Sequence, residues 1–159
     1  MNPYVTRMLE LLGDEDPILV LEATPVQLEA LFLNLGDDLG RPYAPGKWNA
    51  RQVLAHLADN ELAAGFRLRQ VVAGVEAAQP YDQDVWATRY TRTEPALALE
   101  TFRALRAWNL ALYAGFGFED WLREVDHPER GPLSVDIMVR TLAGHDLNHL
   151  AQLQRIAAG

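Results

Sequence analysis

Residues 142–150 read LAGHDLNHL and carry two histidines, His145 and His149, four positions apart. An α-helix completes a turn in about 3.6 residues, so side chains at positions i and i+4 lie above one another on one face. Apolar residues recur at helical spacing on both sides of this pair, and Ser134 precedes them as a candidate N-cap. The stretch therefore predicts a long helix from Ser134 to about Ile156, with both imidazoles pointing at least partly inward.

Three further segments have the same spacing of apolar residues and predict the other long helices. They cover Val26 to Leu35, Ala50 to about Glu76, and Glu94 to about Ala114. Thr24 and Pro25 are the expected N-cap and first residue of the first segment. Asn49 and Gln52 have the spacing of a capping box at the start of the second. Four helices with few strand signals predict an all-α four-helix bundle.

The connections after the second and third of these helices are long enough to cross the bundle. They occupy residues 77–93 and 118–133, and we expect the latter to be irregular. We therefore predict a four-helix bundle with long crossover connections rather than a simple up-and-down arrangement. No linker or repeat divides the chain, so residues 1–159 are expected to form a single domain.

The composition restricts the classes of function. The chain has 22 acidic and 14 basic residues and a formal net charge of −8, so we expect no nucleic-acid partner. Without cysteine there can be no disulfide, thiolate metal site or protein thiol nucleophile. No signal-peptide pattern is visible, and no segment approaches the roughly 20 apolar residues that span a bilayer. We therefore expect a cytoplasmic protein without a membrane partner.

A third histidine, His56, lies in the predicted helix that begins after Asn49 and has apolar neighbours on both sides. Three neutral imidazoles around a divalent metal, with one position left open, form a catalytic type of site. The alternative is that the pair at 145 and 149 is structural or faces solvent, while His56 is a hydrogen-bonded core residue. The segment is not a zincin motif, because Asp146 stands where the general-base glutamate would be.

Several other residues have both a functional and a structural interpretation. Asp59 and Asp146 could orient ligand imidazoles, but we expect solvated surface carboxylates. His127 precedes a proline in a loop, so we expect an exposed turn residue that is not a metal ligand. Tyr81 and Trp86 are candidates for the rim of a cavity, since long connections often carry functional residues, although they could equally cover the end of the bundle.

The remaining tryptophans and the helix arginines are expected to be structural. Trp48, Trp108 and Trp121 are interpreted as core anchors. Five arginines are scattered along the helices, and we expect them to be solvated: Arg67, Arg69, Arg103, Arg106 and Arg140.

Four motifs, taken together, give the chain a resemblance to the DinB/YfiT-like family of metalloenzymes. They read GKWNARQVLAHLAD at 46–59, PYDQDVWA at 80–87, HPERG at 127–131 and GHDLNHLAQ at 144–152. Each is short, but their order and spacing match the family over about residues 17 to 158. The resemblance implies a four-helix bundle with long crossovers.

The resemblance also implies a cofactor and a class of chemistry. A divalent metal, zinc or nickel, would bind to His56, His145 and His149. Some members of the family are S-transferases that use a low-molecular-weight thiol, so the expected function is metal-dependent transfer of such a thiol to a small-molecule electrophile. A metal-dependent hydrolase and a non-catalytic binding protein are the alternatives. The family also suggests a homodimer.

Overall fold

The computed structural model describes residues 2–159 and is mainly helical. The helices are α1 (Pro3–Leu12), α2 (Pro17–Leu35), α3 (Ala50–Val72), α4 (Gln83–Ala87), α5 (Pro95–Tyr113), α6 (Phe118–Leu122) and α7 (Val135–Ala157). Short 3-10 turns cover Gly36–Gly40 and Tyr90–Arg92, and two strands, β1 (Glu124–His127) and β2 (Gly131–Ser134), form an antiparallel hairpin.

The four long helices, α2, α3, α5 and α7, form the predicted four-helix bundle. α2 packs against α7 and α5, and α3 packs against the same two helices, so the order around the bundle is α2, α5, α3, α7. Helices α2 and α3, consecutive long helices in the sequence, are therefore diagonal, as are α5 and α7. The chain crosses the bundle after the first and third long helices, whereas the connection between α3 and α5 joins neighbours.

The start of α2 differs from the prediction. The helix is continuous from Pro17 to Leu35, its N-cap is Asp16, and Pro25 lies inside it. A proline in a helix interior cannot donate to the carbonyl four residues earlier, here that of Leu21. The Arg106 guanidinium on α5 donates to this carbonyl instead, at 2.8 Å. A tertiary contact thus satisfies the group that the proline leaves free.

Arg106 is buried and joins all four helices of the bundle, which corrects the prediction that it is solvated. Its two terminal nitrogens lie 2.8 Å from Glu61 on α3 and 2.7 Å from Asp146 on α7, besides the Leu21 carbonyl on α2. The side chain of Asp146 is only 1% exposed, so the predicted surface position for this carboxylate is also wrong. Although burial opposes it, Asp146 and Glu61 raise the pKa of Arg106 above its usual value.

The connections are more ordered than expected. Residues 118–133, predicted to be irregular, contain α6 and most of the hairpin, in which Val125 pairs with Leu133 and both side chains are buried. The region from Ala77 to Thr93 contains α4 and a 3-10 turn, and Ala77 forms a bridge to Asp126. Both connections therefore pack on the bundle.

The structure corrects two predictions about apolar residues, one on Trp108 and one on the apolar character of the helices. Trp108, predicted as a core anchor, has 68% of its surface exposed. The segment Pro17–Gly40 is 24 residues long with a mean hydropathy of 1.4, so by length and composition alone one helix could cross a membrane. This segment consists of α2 and the 3-10 turn Gly36–Gly40, and α2 forms one side of the bundle and holds the Leu21 carbonyl bound by Arg106.

Candidate metal centre

The structure brings the three predicted histidines together in the bundle interior. His56 comes from α3, and His145 and His149 come from successive turns of α7. One ring nitrogen from each lies within 4.8 Å of the others. The Nε2 atoms of His56 and His145 are 2.9 Å apart. The i, i+4 spacing on one helix and the packing of α3 against α7 produce this arrangement.

Local sequence signals fix both helices that carry the histidines. Asn49 caps α3 with the predicted capping box. The Asn49 side chain accepts a hydrogen bond from the backbone N–H of Gln52, and the Gln52 side chain accepts one from the backbone N–H of Asn49. Ser134 caps α7, as predicted, by accepting from the Ile137 amide. Within α7, Gly144 lets α1 approach closely, because a Cβ at this position would run into the Met8 carbonyl.

Burial keeps the three imidazoles neutral. It is the largest cause that lowers the pKa of His56 to about 2, with the neighbouring His145 and His149 adding to the effect. Burial, then His149 and the Arg130 guanidinium, lowers the pKa of His145 well below its usual value. The pKa of His149 is lowered by burial as well. A neutral imidazole is the form that binds a metal, so the donor set suits a divalent cation.

Hydrogen bonds orient two of the three rings. The Nδ1 of His149 lies 2.9 Å from the Gln152 Oε1, one helical turn away, so this nitrogen carries the proton and Nε2 is free to face the cluster. The Nδ1 of His145 lies 3.4 Å from the Asn60 side-chain amide. The Nδ1 of His56 is buried without a hydrogen-bond partner among the described residues.

Asn60 links His145 to Tyr81. Its Oδ1 accepts from the Tyr81 hydroxyl at 2.8 Å, and its Nδ2 faces His145 Nδ1. If His145 bound a metal through Nε2, its Nδ1 would carry a proton and need an acceptor. Rotation of the Asn60 amide by 180° would present its oxygen to that proton without moving the other heavy atoms. Asn60 can therefore accept the Nδ1 proton of His145 when the His145 imidazole binds a metal.

Trp48 covers the cluster from the loop before α3. Its ring lies 4.9 Å from that of His56 and is stacked on that of His149 at 6.5 Å between centroids. Trp48 is partly buried against the core, as predicted. Because it lies against both rings, it also excludes water from one side of the histidines.

A pocket reaches the cluster from the side of His145. An inner cavity of about 40 Å³ has His145 in its wall, and an outer cavity of about 320 Å³ is lined by Tyr81 and His127. The two share four lining residues, so we treat them as parts of one pocket. Those residues are Tyr4, Asn60, Arg67 and Arg130. Substrate access to the histidines is therefore possible from the surface.

Comparison with known protein families shows which family the chain belongs to. The model of the DinB superfamily matches residues 21–153, which include all three histidines. The chain belongs to the DinB superfamily. The resemblance inferred from the four motifs is thereby confirmed.

Among the relatives of this chain, one from Oceanobacillus iheyensis is 30% identical over 136 residues, covering 84% of this chain and 79% of the relative. Another, YfiT from Bacillus subtilis, is 26% identical over 145 residues, covering 88% of this chain and 82% of the relative. Both are provisionally named metal-dependent hydrolases. The family is thus associated with a metal, although these names do not state which one.

Two solved structures share the fold. The structure of Bacillus subtilis YfiT, described as an unusual four-helix bundle, matches with a TM-score of 0.84 at 23% identity, over 92% of this chain and 88% of the other. A mycothiol-dependent maleylpyruvate isomerase matches with a TM-score of 0.66 at 17% identity, over 96% of this chain and 63% of the other. At these identities the matches show the fold of this chain rather than its activity.

The structure also reports on the remaining candidates. His127, expected to be exposed, is 2% exposed and lies in β1, outside the histidine cluster. Asp59 is half-buried and accepts from the Tyr90 hydroxyl at 2.7 Å. Tyr81 lines the outer cavity as predicted, whereas Trp86 packs against the Tyr81 ring and lines a separate surface cavity.

Sequence reasoning missed several residues of the site. The contact of Gln152 with His149 could have been predicted, since Gln152 lies three positions after His149 on the same helix face. Tyr4 and Arg130, in contrast, come from the first helix and the hairpin turn. No local pattern indicates that they would meet beside His145.

Proposed function

We propose that this DinB-superfamily protein is a metal-dependent hydrolase in which His56, His145 and His149 bind one divalent ion, zinc or nickel. The observation that carries the proposal is the meeting of three buried, neutral imidazoles at the inner end of a pocket. Three nitrogen ligands leave a tetrahedral ion one position short, and such vacancies are typical of catalytic metals. The names of the curated relatives support the same class of reaction.

The metal, when bound, would supply Lewis-acid activation of a nucleophile and charge stabilisation in the transition state. The inner cavity has no aspartate or glutamate in its wall, so the chain offers no carboxylate general base there. Asp146, a buried carboxylate, is held by Arg106 through Oδ2 at 2.7 Å, and its Oδ1 lies 3.9 Å from the His145 Nδ1, which is not the ring nitrogen that faces His56. Activation of the nucleophile would therefore depend on the ion rather than on a side-chain base.

Other residues of the pocket would position the reactants. Trp48 would keep water from the far side of the cluster, and Asn60 would hold the His145 ring. Burial raises the pKa of Tyr81 to about 12, so its hydroxyl keeps its proton at neutral pH. With the Asn60 amide rotated, this proton would be available to donate to a substrate in the outer cavity.

Transfer of a low-molecular-weight thiol to an electrophile is the second candidate. Its support is the fold shared with an enzyme named as mycothiol-dependent, together with the lack of any cysteine in this chain. Three neutral ligands leave the charge of the ion uncompensated, which favours a thiolate as the fourth ligand. A non-catalytic binding protein remains the alternative if no stoichiometric metal is found.

The test begins with metal analysis of the purified protein, followed by two assays. Metal-loaded protein is supplied with a panel of chromogenic esters and amides, first without and then with added thiols and a chromogenic electrophile. We expect about one metal per chain and turnover in water alone. Turnover that requires a thiol would favour the transferase, and activity that survives metal removal or His149→Ala would refute both metal-dependent functions.

A further inference from the structure

Two arginines without carboxylate partners line the inner cavity beside His145. Arg67 comes from α3, and Arg130 follows the first strand of the hairpin. Of the 13 arginines, five pair with aspartate or glutamate. Among residues 2–159, Arg67 and Arg130 belong to the eight that do not, and they are the two of these that line the inner cavity. In a chain with a net charge of −8, two such cations in one cavity wall need a physical explanation.

The hydrogen-bonding groups of both guanidiniums are largely free. Arg67 donates one terminal nitrogen to the Gln79 carbonyl at 3.1 Å, while its Nε is buried without a partner. The guanidinium of Arg130 lies over the Tyr4 ring, 4.5 Å from its centroid. Such a contact occupies the flat face and leaves the N–H groups at the edge free to bind.

The two charges affect the surrounding groups. The pKa of Arg67 is lowered first by burial and then by the positive charge of Arg130. Arg130 and His145 line the same inner cavity, so the charge of this guanidinium lies beside the histidine cluster. The inner cavity has no acidic side chain in its wall, and the carboxylates of the outer cavity are those of Asp82 and the exposed Glu129. Nothing in the inner wall neutralises the pair.

We propose that Arg67 and Arg130 bind an anionic group of the substrate, a carboxylate or a phosphate, while the reactive part of that molecule lies at the histidine cluster. Guanidinium forks bind both groups through paired, charge-assisted hydrogen bonds. An anion would use the unpartnered Nε of Arg67 and reduce the repulsion between the two cations. The inner cavity of about 40 Å³ holds only a small group, so the rest of the molecule would occupy the outer cavity of about 320 Å³.

This assignment rests on the proposed function, because it names the class of substrate for the same pocket. It predicts that an anionic substrate is preferred over its neutral ester or amide analogue. The arginines would act in binding and orientation, and the histidines would act at the reacting atoms. Loss of an arginine should therefore change affinity for the anion without changing metal content.

Binding is tested by NMR titration of the ¹⁵N-labelled protein, in metal-free and metal-loaded form, with acetate, inorganic phosphate and neutral acetamide. Arg67→Gln and Arg130→Gln remove one charge each. The matched control is Arg155→Gln, an exposed arginine that lines a different groove, whose wall includes no histidine. Metal content is measured on every preparation, and the amide spectrum reports whether each variant is folded. Arg67→Lys and Arg130→Lys, which keep the charge but not the fork, replace any Gln variant that does not fold.

We expect saturable binding of acetate or phosphate to the wild-type protein, no binding of acetamide, and at least about tenfold weaker anion binding in either cavity variant. The anion that binds more tightly identifies the group. Arg155→Gln should bind as wild type, and metal content should be equal throughout. If the protein binds no metal but the metal-free form still loses anion binding in the variants, the anion site stands while the proposed function fails. Equal anion affinity in the wild type and both variants would overturn the proposal.

Discussion

Replacement of Arg106 by methionine should destabilise the bundle severely. The side chains of Arg106, Glu61 and Asp146 are 1%, 0% and 1% exposed, and the guanidinium is within 2.8 Å of both carboxylates. Methionine would leave the Asp146 carboxylate, the Glu61 Oε2 and the Leu21 carbonyl without the guanidinium donor. Asn109 would still donate to the Glu61 Oε1. Breaking a buried ion pair from one side costs about 3–5 kcal/mol, against a total stability of about 5–15 kcal/mol for a domain.

Arg103 provides a matched control on the same helix. It pairs with Glu29 at 2.9 Å, but the two side chains are 48% and 45% exposed. Exposed pairs contribute at most about 1 kcal/mol, since water and salt screen them. Arg103→Met should therefore have a small effect, although it removes the same charge and introduces the same side chain.

The assay is urea unfolding of metal-free protein, followed by circular dichroism, with melting temperature as a second readout. A loss of about 3–5 kcal/mol corresponds to a decrease in Tm of roughly 6–20 °C for a chain of this size. If Arg106→Met does not fold, adding Glu61→Gln and Asp146→Asn should recover part of the stability by removing the unpaired charges. An effect of Arg106→Met no larger than that of Arg103→Met would refute the reasoning.

Three further predictions concern the surroundings of the site. Asn60→Leu should weaken zinc binding by about 10–100-fold in a chelator competition assay, because His145 loses its outer partner; unchanged affinity would contradict this. Gly144→Ala should cost about 1–3 kcal/mol in urea unfolding, since its Cβ meets the Met8 carbonyl, and a neutral result would mean that α1 is not held there. His127→Gln should leave metal content unchanged, and a loss like that of a cluster histidine would make it a ligand. Burial, then Arg130 and Arg67, lowers the pKa of His127 from 6.5 to about 4, so the unfolded chain takes up this proton first as pH falls. The contribution of His127 to the free energy of unfolding is present above about pH 6.5 and is lost toward pH 4. The free energy of unfolding of His127→Gln should therefore decrease less than that of the wild type over this pH range.

The sequence was sufficient for the helices whose signals are local. Apolar spacing and N-caps at Asn49 and Ser134 predicted α3 and α7 because those interactions lie within a few residues. Pro25 was misread as a helix start, because the partner that satisfies the Leu21 carbonyl is Arg106, 85 positions further along the chain. Buried Asp146 was missed for the same reason, since its counter-ion is on another helix.

The candidate site likewise has a part that the sequence predicts and a part that depends on tertiary packing. The positions of His145 and His149 follow from helix geometry, and the apolar neighbours of His56 indicated an inward side chain. The pocket, in contrast, depends on how α1 and the hairpin pack on the bundle, which brings Tyr4 and Arg130 beside His145. Burial of His127 was missed because a short hairpin between turn residues has few apolar positions to reveal its alternation.

The most direct test of the proposed metal centre is anomalous diffraction from crystals of the metal-loaded protein, collected at the absorption edge of the bound metal. We predict one anomalous peak between α3 and α7, about 2.0–2.1 Å from a ring nitrogen of each of His56, His145 and His149, without a fourth protein ligand. No peak at this position, or an ion held by other side chains, would contradict the account.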